Sequence, residues 1–156
     1  MIADDKAGAD ETRSAGDDSV CLTGISAAPL DVAAMYDVVR RPAAGGVALF
    51  VGVVRDSDGG KAVTGLGYSA HPSAEGVLRE VVDEVIAGEV VEAVAAVHRT
   101  GDLIVGDIAI VVAVACGHRG QAFDVCERLV DAIKARVPIW KHQTFADGTD
   151  EWVGAP

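Results

Sequence analysis

Ile108-Ala-Ile-Val-Val-Ala-Val-Ala115, then Gly117-His-Arg-Gly120, a helical run to Lys134, and Val137-Pro-Ile-Trp-Lys141 form the stretch that decides the fold. The opening run is unbroken apolar and rich in β-branched residues, the pattern of a strand covered on both faces. The Gly-His-Arg-Gly corner turns the chain into a helix. Its apolar positions, Ala122, Phe123, Cys126, Leu129, Val130 and Ile133, follow a three-four spacing and are assigned to the core. Pro138 ends the helix, because it lacks an amide hydrogen and disfavours a helical residue before it. Exposed amides at a helix start favour an anion, and His118 and Arg119 lie beside them. Lys134 falls in the last turn and Lys141 just past the proline. Together these predict a cationic pocket for an anionic small molecule.

Upstream, Val20–Ser26 reads as a short strand, and a helix starts at Pro29 and Asp31 and runs to about Val39. Gly45–Arg55 is a long buried strand in which Gly52 marks a bulge or a close backbone approach. Asp56–Lys61 is a loop, and Val63–Ala70 is expected to pair back on the preceding strand as a hairpin. His71-Pro72-Ser73 opens a helix with Ser73 as a possible cap, and Gly88 closes it. Glu92–Arg99 and Asp107–Ala115 are strands. Trp140–Phe145 and Glu151–Val153 flank an Asp147-Gly148 turn, a terminal hairpin. Strands and helices mix with hairpins prominent, so the fold class is α+β rather than a doubly wound parallel sheet.

The chain has 156 residues, 50% of them hydrophobic and only 4% aromatic, so its core is chiefly Val, Ala, Leu and Ile. Residues 1–18, polar and acidic, are expected to be a disordered tail, leaving 19–156 as one domain. No apolar run approaches the ~20 residues that span a bilayer. The N-terminus has no basic-then-apolar secretory pattern, which predicts a cytoplasmic protein. A net charge of −11 argues against nonspecific binding to nucleic acid or an anionic membrane. Residues 117–142 nevertheless carry five cations (Arg119, Arg128, Lys134, Arg136, Lys141) against three acids. On charge alone that is a solvated helix face. Cys21, Cys116 and Cys126 suggest no disulfide framework. Cys116 and His118 lack a second ligand pair, and His71, His98 and His142 have no metal spacing, so neither a metal nor a resident cofactor is expected.

Phe50-Val-Gly-Val-Val-Arg55, Gly59-Gly60, Leu66-Gly-Tyr-Ser-Ala-His-Pro72, His98-Arg-Thr-Gly101, His118-Arg119, Lys134-Ala-Arg-Val-Pro-Ile-Trp-Lys141 and Asp147-Gly148 with Trp152-Val-Gly154 stand in an ordered set. That set, across roughly residues 20 to 155, resembles the molybdopterin synthase catalytic (large) subunit family. The resemblance implies an α/β-hammerhead-like fold with an additional antiparallel β subdomain. It implies an enzyme that moves two sulfurs onto cyclic pyranopterin monophosphate to make the dithiolene of molybdopterin. Sulfur would arrive as a C-terminal thiocarboxylate on a small ubiquitin-like subunit, within a heterotetramer built on a dimer of large subunits. Position by position, Lys134 and Lys141 match the catalytic lysines. Val53, Val54 and Arg55, His118 and Arg119, and Lys141, His142 and Gln143, together with Lys134, match substrate-binding segments. Many members carry a basic residue and then an acid after the second lysine, whereas His142 and Gln143 stand here.

Residue chemistry agrees with that resemblance. Phosphate and thiocarboxylate are both anions, and two unit charges ~5 Å apart repel by about 3 kcal/mol at an effective dielectric of about 20. Cations must offset this. Arginine forks suit phosphate, and lysines can be tuned for proton transfer or covalent attack. Plainer readings stand beside these: Lys134 as a helix-dipole partner, Arg55 as a rim charge, Lys141 with its stem on Trp140. For His118 a helix cap and a substrate contact stand level. Two rival functions follow: a persulfide sulfurtransferase using Cys116, and an anion-binding regulatory or partner-binding module without turnover.

Overall fold

A computed structural model describes residues 19–154. The acidic segment 1–18, expected as a tail, lies outside the described residues. The elements in chain order are β1 (Val20–Ser26), α1 (Val32–Val39), β2 (Gly46–Val53), β3 (Ser57–Asp58), β4 (Lys61–Ala70) and α2 (Ala74–Ile86). They continue with β5 (Ala93–Arg99), β6 (Gly101–Leu103), β7 (Ile108–Cys116), α3 (Arg119–Arg136), β8 (Ile139–Phe145) and β9 (Asp150–Val153).

The first sheet has the order β1-β5-β7-β2, with β1 parallel to β5 and the other pairs antiparallel. The apolar run of β7 is buried from Ala109 to Cys116 because both of its faces are covered. Alternate side chains Ile110, Val112, Val114 and Cys116 join a core with α2 and α3. The intervening Val111, Ala113 and Ala115 meet Met35 and Val39 of α1 on the opposite face. Asp31 caps α1 by accepting from the Ala34 amide at 3.2 Å.

The second sheet has the order β3-β4-β8-β9, with β6 also on β4, and is antiparallel. The class is therefore α+β with an added antiparallel sheet, as expected. The hairpin expected between β2 and β4 does not form: β2 pairs with β7, and β4 pairs with β8 and β6. The register of β2 slips between Gly52 and Val53, and Val54 then exchanges backbone bonds with Asp107 and Gly106. The chain so leaves the first sheet and starts the second. A Cβ at Gly52 would lie 2.6 Å from Cγ2 of Ile110, the close approach that a glycine inside a buried strand signals. The expected loop after it is a tight hairpin, with Gly59 and Gly60 both at positive φ.

Two smaller expectations also change. Phe123 is 66% exposed, and Val125 takes the core position instead. Ser73 does not cap α2; its hydroxyl lies 2.8 Å from Nδ1 of His71. Helix α3 stops where predicted, its last bond running from the Val137 amide to Ile133 ahead of Pro138. Among the described residues no helix is long and apolar enough to cross a membrane.

Candidate active site

Pro138 turns the chain from α3 into β8, so Lys134 and Lys141 reach the junction of the two sheets from different elements. The Lys134 ammonium lies 5.9 Å from the ring centroid of Phe50 on β2, within reach of a cation–π contact. It is exposed and makes no ion pair with the described residues. Lys134 also closes a groove of about 480 Å³ between β2 and α3, lined by Leu49, Phe50, Phe123 and Val130 among others. From Phe123 to Lys134 the groove runs about 16 Å, at ~1.5 Å of rise per helical residue.

His98, at the end of β5, forms the next layer. Its Nδ1 lies 2.7 Å from the Arg99 carbonyl oxygen, so Nδ1 carries the proton and Nε2 presents a lone pair. Burial lowers its pKa; the bond to Arg99 opposes this, and the Lys134 charge adds to the lowering. The ring of Tyr68 stands edge-on to it, centroids 4.8 Å apart. Burial raises the Tyr68 pKa, which keeps its hydroxyl protonated.

Tyr68 is directly opposite Lys141 in the β4–β8 register. Both line a small hollow of about 60 Å³ with Val53, Val54, Arg55 and Gln143. Five of the expected site residues, Val53, Val54, Arg55, Lys141 and Gln143, thus converge from the end of β2 and from β8. Asp58 lies among them, 3.8 Å from the Arg55 guanidinium and 3.9 Å from the Lys141 ammonium. A hydrogen bond from Gln143 holds its carboxyl below the usual range; partial burial opposes this, and Lys141 and Arg55 reinforce it.

Three candidates do not converge. His142 faces away from Lys141 and Gln143, as alternation along β8 requires. It stacks on Trp152 at 4.3 Å and lies 2.6 Å from an Asp150 oxygen. His118 and Arg119 sit at the opposite end of α3 from Lys134. The separation is about 22 Å along the axis at ~1.5 Å per residue. The single pocket expected from the helix and its flanks is therefore not formed within one chain. Cys116, the alternative sulfur carrier, is fully buried, and its thiol pKa is raised by burial and by Glu92 and Glu89. Among the described residues no group of three or more His, Cys, Asp or Glu side chains could hold a metal.

The family model described as MoaE protein matches residues 25–136. This chain belongs to the MoaE family, the molybdopterin synthase catalytic subunits. It is 39% identical over 131 residues to molybdopterin synthase catalytic subunit 1 of Mycobacterium tuberculosis, covering 81% of this chain and 86% of that protein. It is 36% identical to the catalytic subunit of Nostoc, covering 83% and 79%. The molybdopterin synthase structure from Staphylococcus aureus superposes with a TM-score of 0.77 at 32% identity, covering 84% of this chain and 96% of that one. The MoaE protein of Burkholderia ambifaria gives 0.71 at 33%, covering 85% and 88%. The protein is thus an enzyme of molybdenum cofactor biosynthesis.

The MoaE match runs through Arg55, His118, Arg119 and Lys134, while Lys141 to Gln143 follow it. Tyr68, His98 and Asp58 were not among the site candidates. The first two stand in stretches that resemble MoaE, but only the strand register brings them beside Lys141. An NMR titration of His98 in this MoaE-family chain is expected to give a pKa below its ordinary 6.5 that rises again in Lys134→Ala. The unfolded chain binds this proton first as pH falls. The His98 contribution to stability is therefore complete above about 6.5 and declines as pH drops toward the folded value.

Proposed function

We propose that this enzyme transfers sulfur from the C-terminal thiocarboxylate of a small ubiquitin-like subunit to cyclic pyranopterin monophosphate, forming the dithiolene of molybdopterin. The observation that carries this is the placement of two lysines on either side of the Tyr68–His98 pair. One closes a long apolar groove; the other lines a small polar hollow. The groove suits an extended Gly-Gly tail, whose backbone carries little side-chain bulk, with its terminal carbonyl delivered to Lys134. There the ammonium stabilises negative charge developing on the carbonyl oxygen as water cleaves the thioester formed once sulfur bonds the pterin. Alternatively, the free amine attacks that carbonyl, the C–S bond breaks with the thiolate leaving on the pterin, and water then hydrolyses the amide to free the carrier as a carboxylate. Lys141 serves the pterin side by moving a proton as sulfur adds.

In this reading Arg55 holds the pterin phosphate by its planar fork. His118 and Arg119 are too far from Lys134 to join within one chain, so in this reading a second large subunit supplies them to the site. The large subunits then form a dimer, each flanked by one small subunit. His142 and Gln143 belong to the binding segment through the strand they share with Lys141. The three cysteines are free, which agrees with a cytoplasmic setting.

Calorimetric titration with cyclic pyranopterin monophosphate tests the binding half. Arg55→Ala and Arg119→Ala are each expected to lose about 1.5–3 kcal/mol, the worth of charge-assisted hydrogen bonds. Arg119→Lys recovers only part, because an ammonium cannot reproduce the fork. Unchanged affinity in both alanine variants removes these residues from the phosphate site.

A further inference from the structure

We propose that Asp58 is a built-in competing anion for the Lys141–Arg55 hollow, held there by Gln143, so that an incoming phosphate must displace it. This rests on the assignment above of that hollow to the substrate's anionic group. The Asp58 carboxylate already receives what a bound phosphate oxygen would receive. One oxygen lies 3.8 Å from the Arg55 guanidinium. The other lies 3.9 Å from the Lys141 ammonium and 2.6 Å from Nε2 of Gln143, which donates to it.

Gln143 is what makes this a fixed arrangement rather than a passing surface contact. It is 1% exposed, the one buried polar side chain among the described residues. Its second amide hydrogen goes to Oε2 of Glu151 on β9, at 3.1 Å. Both donors therefore hold carboxylates, and the side chain spans from the β3–β4 hairpin to the terminal hairpin. A glutamate here would face two carboxylates with no proton to give and could not hold Asp58. Asp58 is carried on the short β3–β4 hairpin, whose tip, Gly59-Gly60, has open space around it. The hairpin so has room to withdraw its carboxylate into solvent when a stronger anion arrives. Gln143 is thus a positioning residue that acts through Asp58, and it sets how strong an anion must be to enter.

The test is a titration of the intact chain with inorganic phosphate at low ionic strength, read by calorimetry. Asp58→Asn should bind phosphate about fivefold tighter, since an exposed ion pair is worth up to about that factor. Gln143→Met should tighten it about two- to threefold by freeing Asp58. This second variant leaves the net charge unchanged, so a gain there cannot come from bulk electrostatics. The double variant should be no tighter than Asp58→Asn alone, because both changes remove one interaction. Asp37→Asn, which removes a carboxylate on α1, controls for net charge and should leave affinity as it was. Adding Lys141→Met should abolish the gain. The proposal is overturned if Asp58→Asn binds phosphate no tighter than Asp37→Asn. It is equally overturned if a folded Gln143→Met binds no tighter than the wild type. Dithiolene formation is not read in this experiment, so failure here leaves the sulfur-transfer assignment standing. Conversely, failure of that assignment leaves the phosphate result as measured.

Discussion

Lys134→Ala and Lys141→Ala are each expected to slow dithiolene formation by roughly 10²–10⁴-fold, the range for loss of a positioned acid–base or nucleophilic group. Folding should be nearly untouched. Lys134 is exposed and Lys141 only partly covered, and substitutions at such positions usually change stability by no more than about 0.5 kcal/mol. Arginine should not rescue proton transfer at Lys141 or amine attack at Lys134, because a guanidinium does not deprotonate at usable pH. Since the lysines open onto different hollows, the two variants should fail at different steps. Lys134→Ala should leave precursor binding intact and stop release of sulfur from the carrier. Lys141→Ala should weaken the pterin side. Rates with saturating carrier and with saturating precursor separate the two. A folded Lys134→Arg protein with near-normal turnover would rule out attack by a Lys134 amine, and a folded Lys134→Ala protein with near-normal turnover would remove Lys134 from the chemistry.

The second large effect concerns Arg119. If a second large subunit supplies it, Lys134→Ala and Arg119→Ala chains, each nearly inactive alone when precursor is kept well below the wild-type KM, should complement when co-assembled. Random pairing makes half of the dimers mixed, and each mixed dimer holds one intact site out of two. Activity should therefore recover to about a quarter of the wild-type value in a symmetric two-site dimer. A site complete within one chain predicts no recovery at all. The distance along α3 decides which is expected: Arg119 opens the helix and Lys134 lies in its last turn.

Much of the fold was legible in local pattern. The bounds of β1, the end of α3 at Pro138 and the terminal β8–β9 hairpin follow from strand alternation, a missing amide hydrogen and an Asp-Gly turn. The partner of β2 was not legible. Nothing between Gly52 and Arg55 says that the chain leaves one sheet for another; that depends on backbone bonds to Gly106 and Asp107, some fifty residues on. Phe123 fits the apolar spacing of α3 yet lines the groove, because periodicity marks an apolar stripe without saying where its cover ends.

The site divided in the same way. Arg55, Lys134 and Lys141 reach the sheet junction, whereas His118 and Arg119 do not. That separation was present in the sequence, since a helix bounded by Gly117 and Pro138 must hold its ends apart. Asp58 was hidden for a different reason. It reads as an ordinary turn residue, and only the fold sets it against Gln143, 85 positions later.

Sulfur transfer itself can be followed directly. Its most direct measurement mixes the intact chain with a thiocarboxylated small subunit and cyclic pyranopterin monophosphate, and follows the dithiolene product. Dithiolene is expected in proportion to carrier consumed, two carriers for each product, with none from a carrier lacking its terminal Gly-Gly. Carrier and precursor that both bind while no dithiolene forms would contradict sulfur transfer.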